Sequence, residues 1–232
     1  MDGFVRRHDG SLYDIGLCYT PGWEGGRVGC IDVTNPDGVE VYQRWLGKLF
    51  DLGVRAIKVD FGEQAPVDGV YHDGTPGHRM HNRYPPLLYN RAVAEATHAR
   101  TGEWIIWARA AFAGSQRYPL HWGGDSSARW DNLFANVAGG MSLGLCGFPF
   151  WSTDIGGFMG EPPHDDLLVR WLQAGLFLSH SRIHGFGHRE LYDRGPPTTD
   201  LARDLLHLRY RLLPYLLGHA HRAAAAGVPP LA

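Results

Sequence analysis

Two aspartates occupy positions at which their carboxylates could take part in catalysis. Asp60 closes the β-branched segment 54–60, and Asp125 follows two glycines in a polar loop. Glycoside hydrolysis needs two carboxyl groups that flank one bond, and in retaining enzymes they lie roughly 5–5.5 Å apart. Carboxylates that are distant in sequence can meet where parallel strands end. The residues permit such a pair, although Asp60 could also be a loop aspartate and Asp125 the N-cap of the following helix.

Further charged residues follow predicted strands in the same way. Arg109 closes the apolar segment 103–109, and Asp154 comes shortly after the segment 145–151. A guanidinium group beside carboxylates favours their ionised form. A structural salt bridge is the alternative role for Arg109.

The elements that must position these residues alternate along the chain. Apolar runs predict strands at 28–33, 54–60, 103–109 and 145–151, with a further short strand within 177–183. Helical spacing predicts helices at 38–52, 86–100, 128–143, 164–178 and 200–225. The turn that begins at Asn35 can cap the first of them, and Gly53 and Gly102 end the first two. Loops are predicted at 61–84 and 110–127. Strands that alternate with helices indicate a parallel sheet, and continuous apolar runs suit strands that are covered on both faces.

This alternation predicts an α/β fold of the (β/α)8 barrel type. The sequence accommodates about five β/α units, whereas a complete barrel has eight strands in about 250 residues. We therefore interpret residues 1–232 as one partial barrel domain. An open doubly wound sheet would also place a site at its strand ends, but no glycine-rich nucleotide-binding motif follows any predicted strand.

Composition excludes several classes of partner. Hydrophobic residues make up 44% of the 232 residues, charged residues 20%, and the formal net charge is −2. A nucleic-acid-binding protein would have a basic surface, and no apolar run is long enough to predict a membrane span. Cys18, Cys30 and Cys146 are too few for a disulfide framework. With no signal-peptide pattern at the N-terminus, we expect a cytoplasmic protein. The sequence does not predict an oligomeric state.

Four segments resemble motifs of glycoside hydrolase family 31, and they follow one another in the family's order. They are KVDFGE at 58–63, HWGGD at 121–125, FWSTDIGGF at 150–158 and SHSRIHG at 179–185. The first is similar to the family's nucleophile signature and the second to its acid/base segment, in the α-xylosidase and α-glucosidase branches. The resemblance extends from about residue 34 to the end of the chain. It implies that residues 1–232 are a partial catalytic domain that corresponds roughly to barrel strands 3–7.

The resemblance implies a retaining α-glycosidase for terminal α-linked glucose or xylose, with no metal or organic cofactor. It implies Asp60 as the nucleophile and Asp125 as the acid/base. The residues that it implies as contacts of the sugar are Arg109, Trp122, His184, Asp154 and Phe61. Glu63 and Arg182 would orient these groups, and Glu63 could alternatively be a third carboxylate in the chemistry. Without the resemblance, Trp122 and His184 would be interpreted as core or loop residues.

The sequence also departs from the family pattern. Ala110 stands where the family commonly has serine after the strand arginine. The family's earlier strands, its N-terminal β-sandwich and its last barrel strand have no counterpart here. A catalytically silent fragment is therefore an alternative, and a sugar-binding module without turnover is a weaker one because both carboxylates are present.

Paired histidines are not expected to bind a metal. His78 and His81 lie in a predicted loop, and His219 and His221 are two residues apart on a helix, which points their rings to different sides. A metal hydrolase would have two histidines four residues apart on one helical face.

Overall fold

The computed structural model describes residues 3–16 and 28–231, and Cys18 lies outside them. The chain divides into two compact units, Met1–Tyr118 (unit 1) and Pro119–Ala232 (unit 2). Each unit contains helices that alternate with short parallel strands. The interpretation of residues 1–232 as one domain stays a prediction.

Within its described residues, 3–16 and 28–118, unit 1 contains two strands and three α-helices. They are α1 (Pro36–Asp51), β1 (Ile57–Val59), α2 (Gly77–Arg83), α3 (Asn90–Thr101) and β2 (Ile106–Ala108). A π-helical turn, Tyr84–Tyr89, leads into α3, and a 3-10 turn, Ser115–Arg117, follows β2. The strands pair in parallel, with Val59 opposite Ala108.

Local sequence explains where these helices begin and end. The Asn35 side chain accepts a hydrogen bond from the Asp37 N–H at 3.0 Å and caps α1, while Pro36 occupies its first turn. Gly102 follows α3 in the left-handed conformation, φ 79°. The inner faces of α1 and α3 bury Leu46, Val93 and their neighbours against β1 and β2. The predicted helices at 38–52 and 86–100 are confirmed.

Up to residue 231, where the description of the chain ends, unit 2 contains four strands and three α-helices. They are β3 (Leu120–Trp122), α4 (Trp130–Leu145), β4 (Phe150–Ser152), β5 (Asp154–Ile155), α5 (Asp165–Gly175), β6 (Arg182–Ile183) and α6 (Pro196–Ala226). A 3-10 turn, Leu191–Asp193, precedes α6. β3 pairs in parallel with β4, and β5 with β6. The unit buries α5 deeply, with Trp171 and Leu168 fully inaccessible.

Three element predictions are wrong. Segment 28–33 forms no continuous strand but makes isolated antiparallel bridges with the N-terminal segment, Phe4 to Ile31 and Asp14 to Gly29. Its apolar pattern could not reveal which segment would lie beside it. The predicted loop at 61–84 contains α2, and the predicted loop at 110–127 contains β3, which is too short to show a strand period.

Within the described part of the chain, no helix combines the length and the apolar character that crossing a bilayer requires.

Candidate active site

Asp60 lies directly after β1, with its side chain about one-third exposed. Its Oδ2 accepts a hydrogen bond from the Lys58 ammonium group. Its Oδ1 accepts one from the backbone N–H of Phe61 at 2.9 Å. The carboxylate is therefore held by two neighbours in its own segment while it keeps access to solvent.

Arg109 reaches Asp60 because of the register of the two strands. Val59 and Ala108 are partners, so that the residues after them emerge side by side. The Arg109 Nη1 atom lies 3.1 Å from Asp60 Oδ1. The same guanidinium donates from Nε and Nη2 to the two Glu63 carboxylate oxygens, at 2.9 and 3.1 Å. This bidentate contact orients Arg109 more strictly than a single ion pair would.

Phe61 has an unusual backbone conformation for its residue type. Its φ is 57°, the only positive φ outside glycine among the described residues. Such a conformation is sparsely populated by residues with a Cβ and is often found at functional sites. The half-exposed Phe61 ring lies under Arg109, with the guanidinium carbon 4.3 Å from the ring centroid. Backbone strain and a cation–π contact thus occur immediately beside Asp60.

The electrostatic balance at Asp60 favours its ionised form. Burial raises the pKa of Asp60, but the hydrogen bond and charge of Lys58, the Phe61 N–H and the charge of Arg109 together lower this pKa below its ordinary value. The backbone carbonyl of Asp60 accepts a hydrogen bond from the Tyr89 hydroxyl at 3.1 Å. A carboxylate that is ionised, fixed and accessible is suited to act as a nucleophile.

Asp125, the second candidate carboxylate, lies in unit 2. It is exposed on the loop between β3 and α4. Together with Trp122, the last residue of β3, it lines a cavity of about 480 Å³ whose wall on the helix side includes Asn136 and Gly140. Trp122 itself is almost fully buried. Asp60 and Asp125 belong to different units, and their pairing across one glycosidic bond stays a prediction.

Asp154 and Arg182 form a buried ion pair. They are direct partners in the pairing of β5 with β6, and Arg182 Nε and Nη2 each lie 2.7 Å from Asp154 Oδ1. Asp154 is fully inaccessible to solvent. The Arg182 guanidinium carbon also lies 5.4 Å from the Trp122 ring centroid. Trp122, Asp154 and Arg182 thus lie close together, although they belong to three of the family segments, 121–125, 150–158 and 179–185.

His184 follows β6 directly. Its ring centroid lies 5.3 Å from that of Phe158, which follows β5. His184 is half-buried, so that its ring is held by an aromatic neighbour and remains partly accessible.

Sequence reasoning missed two groups beside these residues. Lys58 belongs to the KVDFGE segment and lies two residues before Asp60, a spacing that places both side chains on one face of an extended segment. The strand period could therefore have identified it. Arg189, which contacts the loops that carry Phe158 and His184, has no comparable signal, because three of its four carbonyl partners are about 30 residues away.

One exposed cluster offers possible metal ligands. Atoms of His188, Glu190 and Asp193 lie within 4.8 Å of one another, the only such group of three among residues 3–16 and 28–231. All three are exposed, and His188 Nδ1 lies 3.7 Å from Asp193 Oδ2. This arrangement does not by itself indicate a metal site.

Asp60 and Arg109 directly follow parallel strands in unit 1, and in unit 2 Asp125 lies in the loop that follows β3. The ends of parallel strands are the position of the active site in β/α-barrel enzymes. Helices that alternate with parallel strands, and charged side chains at the strand ends, are typical of the β/α-barrel enzymes. The chain belongs to glycosyl hydrolase family 31, because the model of that family's TIM-barrel domain matches residues 1–218. The predicted family and fold class are confirmed.

Individual relatives agree with this assignment. An alpha-xylosidase of Emericella nidulans is 40% identical over 230 residues, covering 97% of this chain and 28% of the relative. Human neutral alpha-glucosidase AB is 34% identical over 252 residues, covering 98% of this chain and 26% of the relative. A solved structure of the cycloalternan-degrading enzyme from Trueperella pyogenes in complex with a covalent intermediate is 27% identical. It has a TM-score of 0.85 and covers 98% of this chain and 32% of that one. The chain thus spans a third or less of each of these proteins.

Proposed function

We propose that this chain carries the catalytic carboxylates of a retaining α-glycosidase that acts on terminal α-linked xylose or glucose. Asp60 is the nucleophile and Asp125 the general acid/base. The observation that carries the proposal is the arrangement at Asp60, an accessible carboxylate held by Lys58 and Arg109 with a lowered pKa. A nucleophilic carboxylate must remain ionised near neutral pH, and this surrounding stabilises that form.

The proposed reaction has two displacements. In the first, an Asp60 oxygen attacks the anomeric carbon, the glycosidic bond breaks, and Asp125 gives its proton to the departing oxygen. In the second, Asp125 takes a proton from water, which attacks the same carbon and releases Asp60 as a carboxylate. The covalent intermediate named in the structure of the Trueperella pyogenes relative supports the first step by similarity.

The remaining site residues are proposed to bind and orient the sugar. Arg109, fixed by Glu63, offers N–H donors beside the nucleophile, and the Phe61 ring provides an apolar wall there. In unit 2, Trp122 and His184 are proposed contacts of the sugar, whereas the buried Asp154 and Arg182 are proposed to hold one another. The names of the relatives support xylose or glucose as the sugar.

The direct test of the nucleophile is hydrolysis of 4-nitrophenyl α-xyloside and α-glucoside by the full chain. The variant Asp60→Ala should lose essentially all activity, because the covalent route then has no attacking group. Asp204→Ala, which removes an exposed aspartate of α6, is the matched control and should retain activity. Mass spectrometry of the intact protein with a slowly turned-over 2-fluoro sugar should add one glycosyl group at Asp60. Equal activity in the Asp60→Ala variant would refute the assignment.

Asp125 is tested by comparing leaving groups. The first displacement by Asp125→Ala should be slowed most for sugars with a poorly acidic aglycone, since 4-nitrophenolate departs with little protonic assistance. Pre-steady-state release from both kinds of substrate separates this step from the second displacement. An equal loss for both leaving groups would contradict a general-acid role.

The alternative is that these 232 residues are catalytically silent by themselves. A cooperatively folded chain that neither releases nitrophenol nor accepts the covalent label would support this alternative. A chain that melts broadly without a cooperative transition would support it as well.

A further inference from the structure

Arg189 has an unusual set of partners for a buried arginine. The residue is 2% exposed, and its guanidinium donates to four backbone carbonyl oxygens. The distances are 2.7 Å to Gly157, 2.9 Å to Gly160 and 3.2 Å to Phe158, and the fourth acceptor is Phe186. Buried charges are usually paired with carboxylates, whereas this cation is bound by main chain.

These carbonyls belong to two loops that leave neighbouring strands. Residues 156–160 follow β5, and residues 184–187 follow β6, so that the guanidinium joins the two loops. The Phe186 N–H donates to the Phe158 carbonyl at 2.8 Å and adds a direct link. The loops carry the Phe158 and His184 rings that lie in contact. Arg189 therefore binds the backbone of both loops that carry these aromatic side chains.

The fit around Arg189 depends on a glycine. A Cβ added at Gly185 would lie 2.2 Å from Arg189 Nε and 2.7 Å from the Gly157 carbonyl oxygen. Gly185 directly follows His184, so that the guanidinium lies against the backbone that orients this histidine. A planar group with donors on three nitrogens can bind four carbonyls in this space, whereas a lysine ammonium has only three donors on one atom.

We propose that Arg189 is a positioning residue that sets His184 and Phe158 for sugar binding. The inference rests on the proposed function, since it assigns His184 to the sugar pocket. Arg189 does not enter the reaction itself but acts through the two loops. A displacement of about 1 Å in such a support can reduce turnover by roughly 100-fold.

The activity test is a double-mutant cycle with Arg189→Lys and His184→Ala. Arg189→Lys should reduce kcat/KM by roughly 10- to 100-fold, and most of this loss should disappear in the His184→Ala background because the two residues act in series. Arg194→Lys is the control, because Arg194 in the same segment contacts the Pro163 carbonyl and Asp165 instead. Independent, additive losses or an unchanged kcat/KM would overturn the proposal.

A second readout does not depend on activity. In NMR spectra that detect the histidine ring nitrogens, Arg189→Lys should shift and broaden the His184 signals, while Arg194→Lys should leave them unchanged. If the wild-type chain shows no hydrolysis, the proposed function fails and this measurement alone decides the role of Arg189. Unchanged His184 signals would then overturn it.

Gly185→Ala provides a second variant if Arg189→Lys does not fold. It keeps the charge of Arg189 but displaces the guanidinium, and it should reproduce the same His184 shift. Native-like His184 signals in a folded Gly185→Ala protein would contradict the inference.

Discussion

At the scale of single residues, competing effects on the Asp60 carboxyl group determine its ionisation. Burial disfavours its charge, while the Lys58 ammonium, the Phe61 N–H and the Arg109 guanidinium favour it and prevail. Lys58 supplies the largest of the favourable contributions, through both its hydrogen bond and its charge. The ionisation of the proposed nucleophile thus depends on a residue two positions before it.

We predict that Lys58→Met moves the acid limb of the kcat/KM profile to higher pH. Loss of the ammonium raises the pKa of Asp60, so that the carboxylate is protonated, and therefore inactive, at pH values where the wild-type carboxylate is ionised. The profile of kcat/KM against pH on 4-nitrophenyl α-xyloside is the measurement. Lys48→Met, a change in the last turn of α1, should keep the wild-type limb. An acid limb that stays in place in Lys58→Met would show that this contact does not tune Asp60.

At the scale of elements, α4 packs closely against β4 because it has a glycine, which lacks a side chain, at the point of contact. Gly140 of α4 faces the ring of Trp151 in β4, and a Cβ at this glycine would lie 2.2–2.3 Å from three ring atoms. The neighbouring Gly139 has no heavy atom within 4 Å of its own added Cβ. The structure therefore has no room for a side chain at Gly140 but leaves room for one at Gly139.

We predict opposite effects of alanine at these two positions on the free energy of unfolding. Gly140→Ala should lower it by about 1–3 kcal/mol or more, because the methyl group forces Trp151 or the helix to move. Gly139→Ala should raise it by about 0.5–1 kcal/mol through helix propensity alone. Urea denaturation followed by circular dichroism measures both, and a destabilisation of similar size in the two variants would contradict this packing.

At the scale of the whole molecule, the buried His121 and the partly buried His180 link stability to pH. Burial lowers the pKa of His121 from 6.5 to about 4. Burial, followed by the charges of His121, Arg209 and Arg182, lowers the pKa of His180 to about 4 as well. Among the described residues, neither ring nitrogen of His121 has a hydrogen-bond partner. His180 contacts the hydroxyls of Ser152 and Ser179 at 2.8 and 2.9 Å.

We predict that the free energy of unfolding falls as the pH is lowered from about 6.5 to 4. In this window the unfolded chain binds a proton at each histidine that the folded chain does not bind, so that each contributes up to about 1.4 kcal/mol per pH unit. His121→Leu should remove about half of that slope and change stability little at pH 8. Urea midpoints measured at several pH values test this, and an unchanged slope in the variant would show that His121 is not buried in its neutral form.

Local patterns in the sequence were sufficient for much of this protein. The cap at Asn35, the helical periods and the glycine stops predicted most helices, because these signals act within a few residues. The four family segments indicated the family and the candidate carboxylates through their residues and their order along the chain alone. The short strand β3 and the helix α2 were missed, because three to seven residues carry too little pattern.

Only the tertiary structure decided which groups contact one another. The sequence contained Arg109, Glu63 and Asp60, but the register of β1 with β2 determined that one guanidinium binds both carboxylates. Three of the four carbonyl partners of Arg189 likewise belong to a loop that is about 30 residues away in sequence. Hydrogen bonds and close contacts require atoms within a few ångströms, and for distant residues only the folded backbone sets those distances.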